Sequence, residues 1–218
     1  MFNRKEKAKA LIATISKSIS DVNVSLRGSV FAGKDDELSD IDISVKHSNM
    51  KDIDIANSVI KSMKIEHDVL FEDWATAFLP KECVITFFIK DYPLHCFVET
   101  SIVVPKNNQT LKSEQISRKY PDHFLKIWII AIKRFIRNTK NVDLQYLSRV
   151  LLQSDVAEVG GPLIVLKKTF DSIAEESKQK YPTLYTSCVK YLNYIEHGDS
   201  PDLEVLAVPQ KIVSFLPT

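Results

Sequence analysis

Cysteine and glycine are both scarce in this chain of 218 residues. The three cysteines, Cys83, Cys96 and Cys188, are far apart, odd in number and without a C-x-x-C pair, which argues against a disulfide framework and against a zinc site. Such cysteine usage favours a reducing compartment, and we expect a cytoplasmic protein. With only five glycines the chain also has no repeat-rich or low-complexity character.

The chain also lacks a large excess of charge of one sign, and it lacks long apolar runs. The 29 Lys and Arg residues balance 28 Asp and Glu residues, for a net charge of +1, so no global field indicates a nucleic acid or a membrane surface as partner. The longest strongly apolar run, residues 127–132, is far shorter than the ~20 residues that a bilayer needs. The amino terminus also lacks the continuous apolar stretch of a signal peptide. We therefore expect no membrane partner, and the charge balance counts against nucleic acid.

The hydrophobic periodicity changes about halfway along the chain. Apolar residues at intervals of three and four predict helices, and alternating ones predict strands. The first half mixes both: helices over 5–20 and 51–63, and strands over 22–26, 40–45, 69–71, 84–89 and 94–104. The second half is helical throughout: 122–138, 142–153, 162–178 and 183–196. The pattern predicts an α+β protein, with an α/β domain containing a mixed sheet at 1–108 and a helical bundle at 109–218.

The residues that indicate chemistry follow the first predicted strand. Gly28 and Ser29 leave backbone N–H groups and a hydroxyl available, with no side chain at Gly28 to keep a phosphate away from the main chain. Ten residues separate Ser29 from the run Asp40-Ile41-Asp42. On a strand these two carboxylates point the same way, with Cα atoms ~6.6 Å apart. Carboxylates together with substrate phosphate oxygens are the ligands that Mg²⁺ prefers.

This combination, with Gly33 inside the loop and Ser39 before the first aspartate, resembles the signature of the polymerase-β-type nucleotidyltransferase superfamily. Bacterial antibiotic nucleotidyltransferases, which act on aminoglycosides and lincosamides, belong to it. The resemblance implies a nucleotidyltransferase-type α/β domain and Mg²⁺-dependent transfer of a nucleoside monophosphate from a triphosphate such as ATP to a hydroxyl, with release of pyrophosphate. It also implies that Asp40 and Asp42 hold the metal ions and that Gly28 and Ser29 hold the triphosphate.

Lys34 lies beside the same loop and is a further candidate for contact with the triphosphate. The superfamily usually supplies another acid from a later strand, as a metal ligand or as the general base. We favour Glu99, an acid flanked by apolar residues, in both the catalytic and the metal-binding role. His95, four residues earlier and expected on the same face of that strand, and Asp68, an acid followed by apolar residues, remain alternatives.

The expected function is therefore nucleotidyl transfer to a hydroxyl of a small molecule, with an antibiotic as one candidate. We expect the helical domain to form part of the acceptor cleft, and a helix-rich second half could supply a homodimer face. Two alternatives remain open. One is a transferase that modifies a protein or an RNA end, as toxin–antitoxin nucleotidyltransferases do. The other is a catalytically degenerate domain that only binds a nucleotide.

Overall fold

The computed structural model describes residues 2–47, 51–75, 82–103 and 119–197. The chain divides into two compact units, Met1–Tyr92 with Cys96–Arg118, and Pro93–His95 with Lys119–Thr218. The boundary predicted between residues 108 and 109 lies outside the described residues. The first unit contains all the described strands, and the second contains the helices of the second half, so the predicted α+β class is confirmed.

The first unit alternates short helices and strands. In chain order its elements are α1 (Arg4–Ser18), β1 (Val22–Arg27), α2 (Gly28–Ala32), β2 (Ile41–His47), α3 (Asp52–Glu66), β3 (Val69–Ala75), β4 (Glu82–Ile89) and β5 (Val98–Val103). Asn3 caps α1, because its side chain accepts a hydrogen bond from the Glu6 amide. Every helix and strand predicted for this part of the chain is present. The last strand, however, begins at Val98 rather than at Leu94.

The five strands form a mixed sheet in the order β1-β2-β5-β4-β3. Strands β2 and β5 are parallel, and the other three pairings are antiparallel. The parallel register places Asp42 of β2 directly opposite Glu99 of the central strand β5. Because side chains alternate along a strand, both carboxylates lie on the same face of the sheet.

The opposite face of the sheet, which we call the apolar face, holds the core. Helices α1 and α3 cover it with apolar side chains at helical spacing, and the strands contribute every second residue. The buried sheet residues of this core are Ile41, Ile43, Val45, Cys83, Ile85, Phe87, Ile89, Val98 and Ile102. Ile41, Ile43 and Val45 are fully buried, which fixes the register of β2, since a slip by one residue would bring Asp42 into the core.

The helical unit has its own core. Its elements are α4 (Asp122–Ile136), α5 (Val142–Leu147), a π-helical turn (Ser148–Leu152), α6 (Val156–Val159), α7 (Pro162–Lys180) and α8 (Pro182–His197). Trp128, in the apolar run singled out above, is fully buried, and its indole Nε1–H donates to the Leu166 carbonyl at 2.9 Å. The run is a core helix, as its composition predicts. The helix predicted over 142–153 differs, because it ends in the wider π turn.

None of the described helices combines the length and the apolar character that crossing a membrane requires.

Candidate active site

A tight turn joins β1 to α2 at Gly28. This glycine has φ +71°, a conformation that side chains disfavour. A Cβ atom built on Gly28 would lie 1.9 Å from Asp42 Oδ2, so no other residue fits without displacing that carboxylate. The predicted turn and helix start at Gly28 and Ser29 is therefore present, and it packs directly against one of the predicted metal ligands.

The rest of the loop closes on Ser29. Helix α2 ends at Ala32 and is capped by Gly33, which has φ +66°. The Lys34 amide donates to the Ser29 carbonyl at 3.0 Å, and the Lys34 residue is exposed to solvent. These contacts hold the backbone of the predicted phosphate loop in one conformation while Gly28 stays exposed and Ser29 half-buried.

Asp40, Asp42 and Glu99 come together at the end of the sheet, and we call them the acidic triad. One carboxylate oxygen from each lies within 4.8 Å of the others, and all three residues are half-buried. Three negative charges at this separation repel one another, and a divalent cation offsets that repulsion. The donor set, three half-buried carboxylates, fits Mg²⁺ with substrate oxygens or water completing its shell.

Different elements position the three acids. Asp42 lies in β2 and Glu99 in β5, where backbone pairing between the two strands fixes their relation. Asp40 precedes β2 and belongs to the loop that ends at Ile41. The loop is closed by Ser39, whose Oγ–H donates to Asp36 Oδ1 at 2.7 Å and whose amide donates to the Asp36 carbonyl at 3.0 Å.

The alternative site residue His95 does not lie on the strand that carries Glu99. It precedes β5 and belongs to the helical unit, where its Nδ1 is 2.6 Å from the Tyr191 hydroxyl. Leu94 and His95 form a turn and β5 begins only at Val98, so the expected common strand face for His95 and Glu99 is wrong. The histidine is 5% exposed and packs against the Tyr191 ring.

Asp68, the other alternative, is also outside the triad. It directly precedes β3, the edge strand that β4 separates from β5, so roughly 10 Å of sheet lies between β3 and β5. Its carboxylate is 3.2 Å from Lys90 Nζ, and its side chain is 67% exposed. An exposed ion pair of this kind is a surface feature.

The sheet register reveals polar residues that sequence reasoning missed. On the face opposite the core, which we call the polar face, Thr86 of β4 lies beside Glu99, and Asp73 of β3 lies beside Thr86. Both residues are buried. Side chains alternate between the two faces along β3 and β4, but the face of Thr86 and Asp73 follows only when the neighbouring strands and their register are known. A single sequence does not provide that register.

An ion pair also lies on the polar face. Glu82 Oε2 accepts from Ser101 Oγ at 2.5 Å and from Arg27 at 3.2 Å. The Ser101 hydrogen bond, followed by the Arg27 charge, holds the pKa of the Glu82 carboxyl below its usual range. Arg27 is the cross-strand neighbour of Asp42, so this pair borders the acidic triad.

No family model and no curated protein matches the chain. Among solved structures it is similar to Cid1, described for its RNA terminal uridylyl transferase activity, with a TM-score of 0.38 and 12% identity over 88% of this chain and 49% of that one. The polymerase core of TRAMP, an RNA surveillance complex, gives a TM-score of 0.38 and 13% identity over 88% of this chain and 57% of that one. Cid1 poly(U) polymerase with MgGTP bound gives a TM-score of 0.39 and 13% identity over 91% of this chain and 68% of that one.

The chain thus spans about half the length of the first of these structures, 49%. The three structures are of nucleotidyl-transferring enzymes, and none of them is an antibiotic-modifying transferase. The resemblance to the antibiotic branch therefore finds no support in them. The function proposed next rests on the geometry of the site.

Proposed function

We propose that this chain is a Mg²⁺-dependent nucleotidyltransferase that moves a nucleoside monophosphate from a nucleoside triphosphate to a hydroxyl of an acceptor. The observation that carries the proposal is the convergence of Asp40, Asp42 and Glu99 within 4.8 Å beside Gly28. Either feature alone has ordinary structural explanations. Together they support a divalent-cation site directly next to a turn that a phosphate can approach.

In this proposal each residue has a defined task. Asp40, Asp42 and Glu99 hold Mg²⁺, which supplies positive charge against the negative charge of the phosphates when it is bound. Gly28 leaves the main chain accessible, and the Ser29 hydroxyl donates to a phosphate oxygen. Lys34, exposed at the end of the loop, is the remaining candidate for contact with the triphosphate.

The reaction itself requires one proton transfer and one displacement. A carboxylate of the triad, with Glu99 as the favoured residue, takes the proton of the acceptor hydroxyl. The acceptor oxygen bonds to the α-phosphorus while the bond to pyrophosphate breaks. Positioning and charge stabilisation supply most of the rate enhancement in phosphoryl-transfer reactions, and a rigid sheet end that presents three acids suits that requirement.

The acceptor supplies a hydroxyl group, and an experiment with three arms identifies the class of molecule that carries it. A single-stranded RNA with a free 3′ hydroxyl is one arm, because Cid1 is named for RNA terminal uridylyl transfer. A panel of aminoglycosides and lincosamides, which carry the hydroxyls expected from the sequence resemblance, is the second arm. Buffer without acceptor is the third.

The test measures binding of ATP, GTP, CTP and UTP with and without Mg²⁺, followed by pyrophosphate release in the three arms. We expect Mg²⁺-dependent binding and acceptor-dependent release. Asp42→Asn removes a charge worth several kcal/mol to the reaction and should lower turnover about 10³-fold without lowering the melting temperature. Asp68→Asn, the same exchange outside the triad, should leave turnover within about twofold.

Two results would contradict the proposal. One is binding of a triphosphate that is independent of Mg²⁺ and unchanged by Asp42→Asn, which would favour a degenerate nucleotide-binding domain. The other is pyrophosphate release that survives in Asp42→Asn at the wild-type rate.

A further inference from the structure

Asp40 differs from the other two acids of the triad in how it is held. Backbone pairing between β2 and β5 fixes Asp42 and Glu99. Asp40 lies one residue outside β2, so its position depends on the loop that precedes it. A metal site needs all of its ligands within a few tenths of an ångström of the right place, so something must hold this loop.

The guanidinium group of Arg4, more than 30 residues earlier in the chain, holds this loop. Arg4, in the first turn of α1, donates from Nε to the Ser39 carbonyl at 2.9 Å. A second nitrogen, Nη2, donates to the Glu37 carbonyl at 2.5 Å. The Ser39 carbonyl belongs to the peptide bond that leads into Asp40. Arg4 therefore fixes the backbone immediately before this metal-ligand candidate.

Arg4 makes its contacts from an unfavourable place in the helix. A cation in the first turn of a helix faces the positive end of the helix dipole and is disfavoured there. The Asn3 cap and Glu6 follow the usual preference, whereas the cations Arg4 and Lys5 in the same turn do not. For Arg4, the two carbonyl contacts, which span 33 and 35 residues of sequence, offset this cost.

Arg4 is itself held in place, and so is the far side of Asp40. The Phe2 ring lies 6.0 Å from the Arg4 guanidinium carbon and packs edge-on against Tyr92 with ring centroids 4.9 Å apart. Beyond Asp40, the Ile41 amide donates to the Phe97 carbonyl at 3.0 Å. Asp40 thus lies between one anchor supplied by Arg4 and another supplied by the sheet.

We propose that Arg4 is a positioning residue that sets the affinity of the acidic triad for its divalent cation by fixing Asp40. This inference rests on the proposed function, because it takes the triad to be a metal site. Partners that orient metal ligands typically contribute about 10- to 100-fold to metal affinity. A lysine keeps the charge of Arg4 but cannot make two parallel donations to two carbonyls.

The experiment measures Mn²⁺ binding to the purified full chain, through the electron paramagnetic resonance signal of free Mn²⁺, together with the melting temperature. We expect Arg4→Gln to weaken Mn²⁺ binding about tenfold. Arg4→Lys should fall between Arg4→Gln and the wild type. Lys7→Gln is the matched control, because Lys7 lies on the same helix and its Nζ packs over the Tyr92 ring, 5.6 Å from the ring centroid.

Asp42→Asn separates the two levels of the proposal. If the wild type binds Mn²⁺ no better than Asp42→Asn, the metal site fails, and the inference about Arg4 fails with it. If Asp42→Asn loses binding while Arg4→Gln keeps wild-type affinity, only the inference about Arg4 is overturned. A lower melting temperature with unchanged Mn²⁺ affinity would assign Arg4 a purely structural role. Should Arg4→Gln fail to fold, wild-type affinity in Arg4→Lys has the same meaning.

Discussion

The two faces of the sheet are built from alternate residues of the same strands. On β2, Ile41, Ile43 and Val45 point to the apolar face and are fully buried, while Asp42 and Ser44 point to the polar face. On β5, Val98 and Ile102 belong to the apolar face, and Glu99 and Ser101 lie on the other. The same two strands thus contribute core residues to one face of the sheet and acidic residues to the other.

This difference separates residues that stabilise the fold from residues that we propose for the chemistry. Burying an isoleucine side chain stabilises the folded state by about 1.5–3 kcal/mol. Holding three carboxylates within 4.8 Å of one another does the opposite, because their charges repel. The apolar face therefore supplies the stability against which the acidic triad is maintained.

The largest expected effect on stability comes from the apolar face. Ile43→Ala leaves a cavity among fully buried neighbours and should lower the free energy of unfolding by about 3 kcal/mol, measured by urea denaturation. Ser44→Ala, the next residue on the other face, should cost about 1 kcal/mol or less. Equal losses for the two variants would show that the faces do not differ as described.

A smaller free-energy effect, but a specific one, is expected at the turn beside the triad. Gly28→Ala places a Cβ 1.9 Å from Asp42 Oδ2 and displaces that carboxylate. A misplacement of about 1 Å at a reacting centre can lower the rate about 100-fold, so pyrophosphate release should fall by that factor.

Gly33→Ala is the matched control for this change. Gly33 also has positive φ, but a Cβ there would meet nothing within 4 Å. The Gly33→Ala variant should carry the backbone strain that both substitutions introduce, and it should keep most of the activity. If Gly33→Ala lost as much activity as Gly28→Ala, backbone strain rather than the contact with Asp42 would explain both.

The smallest effect concerns the ion pair that borders the triad. The folded-state pKa of Glu82 lies below its usual range, first because Ser101 donates to the charged form and then because Arg27 is close. Such a group stabilises the fold above the unfolded-state pKa, and this contribution is lost as the pH falls through the lowered folded-state pKa. Glu82→Gln should therefore be less stable than the wild type near neutral pH, with the difference shrinking under acid conditions.

Ser101→Ala removes the main cause of the lowered pKa and should change the pH profile in the same direction. Thermal melting between neutral and acid pH measures both variants. Parallel profiles for the wild type and Glu82→Gln would contradict the role assigned to this carboxyl.

Local patterns in the sequence predicted the elements well where a periodicity was strong. The helix over 5–20 and the alternation at 40–45 correspond to α1 and β2, and the turn at Gly28 is where the glycine and serine indicated. The start of the last strand was predicted at 94 because the run from Leu94 to Val104 is rich in residues that favour strands. The pairing of β5 with β2 begins only at Val98, and this pairing is a long-range property.

The distinction between local patterns and long-range pairing also applies to the site. The spacing of Gly28, Ser29, Asp40 and Asp42 is local, and the sequence alone was enough to single these residues out. The choice among Glu99, His95 and Asp68 depended on which strand lies beside β2. The structure puts Glu99 there, gives His95 a partner in the helical unit and leaves Asp68 at the surface.

The sequence by itself therefore determined the α+β class, the apolar periodicity that forms the core and the four residues of the phosphate-loop and aspartate pattern, because each depends on residues close together in the chain. Only the tertiary structure decided that Glu99 completes the triad, that Glu82 and Ser101 border it and that Arg4 supports the loop before Asp40. These relations join residues that are far apart in sequence. They depend on strand order and register, which result from the packing of the whole sheet rather than from any local pattern.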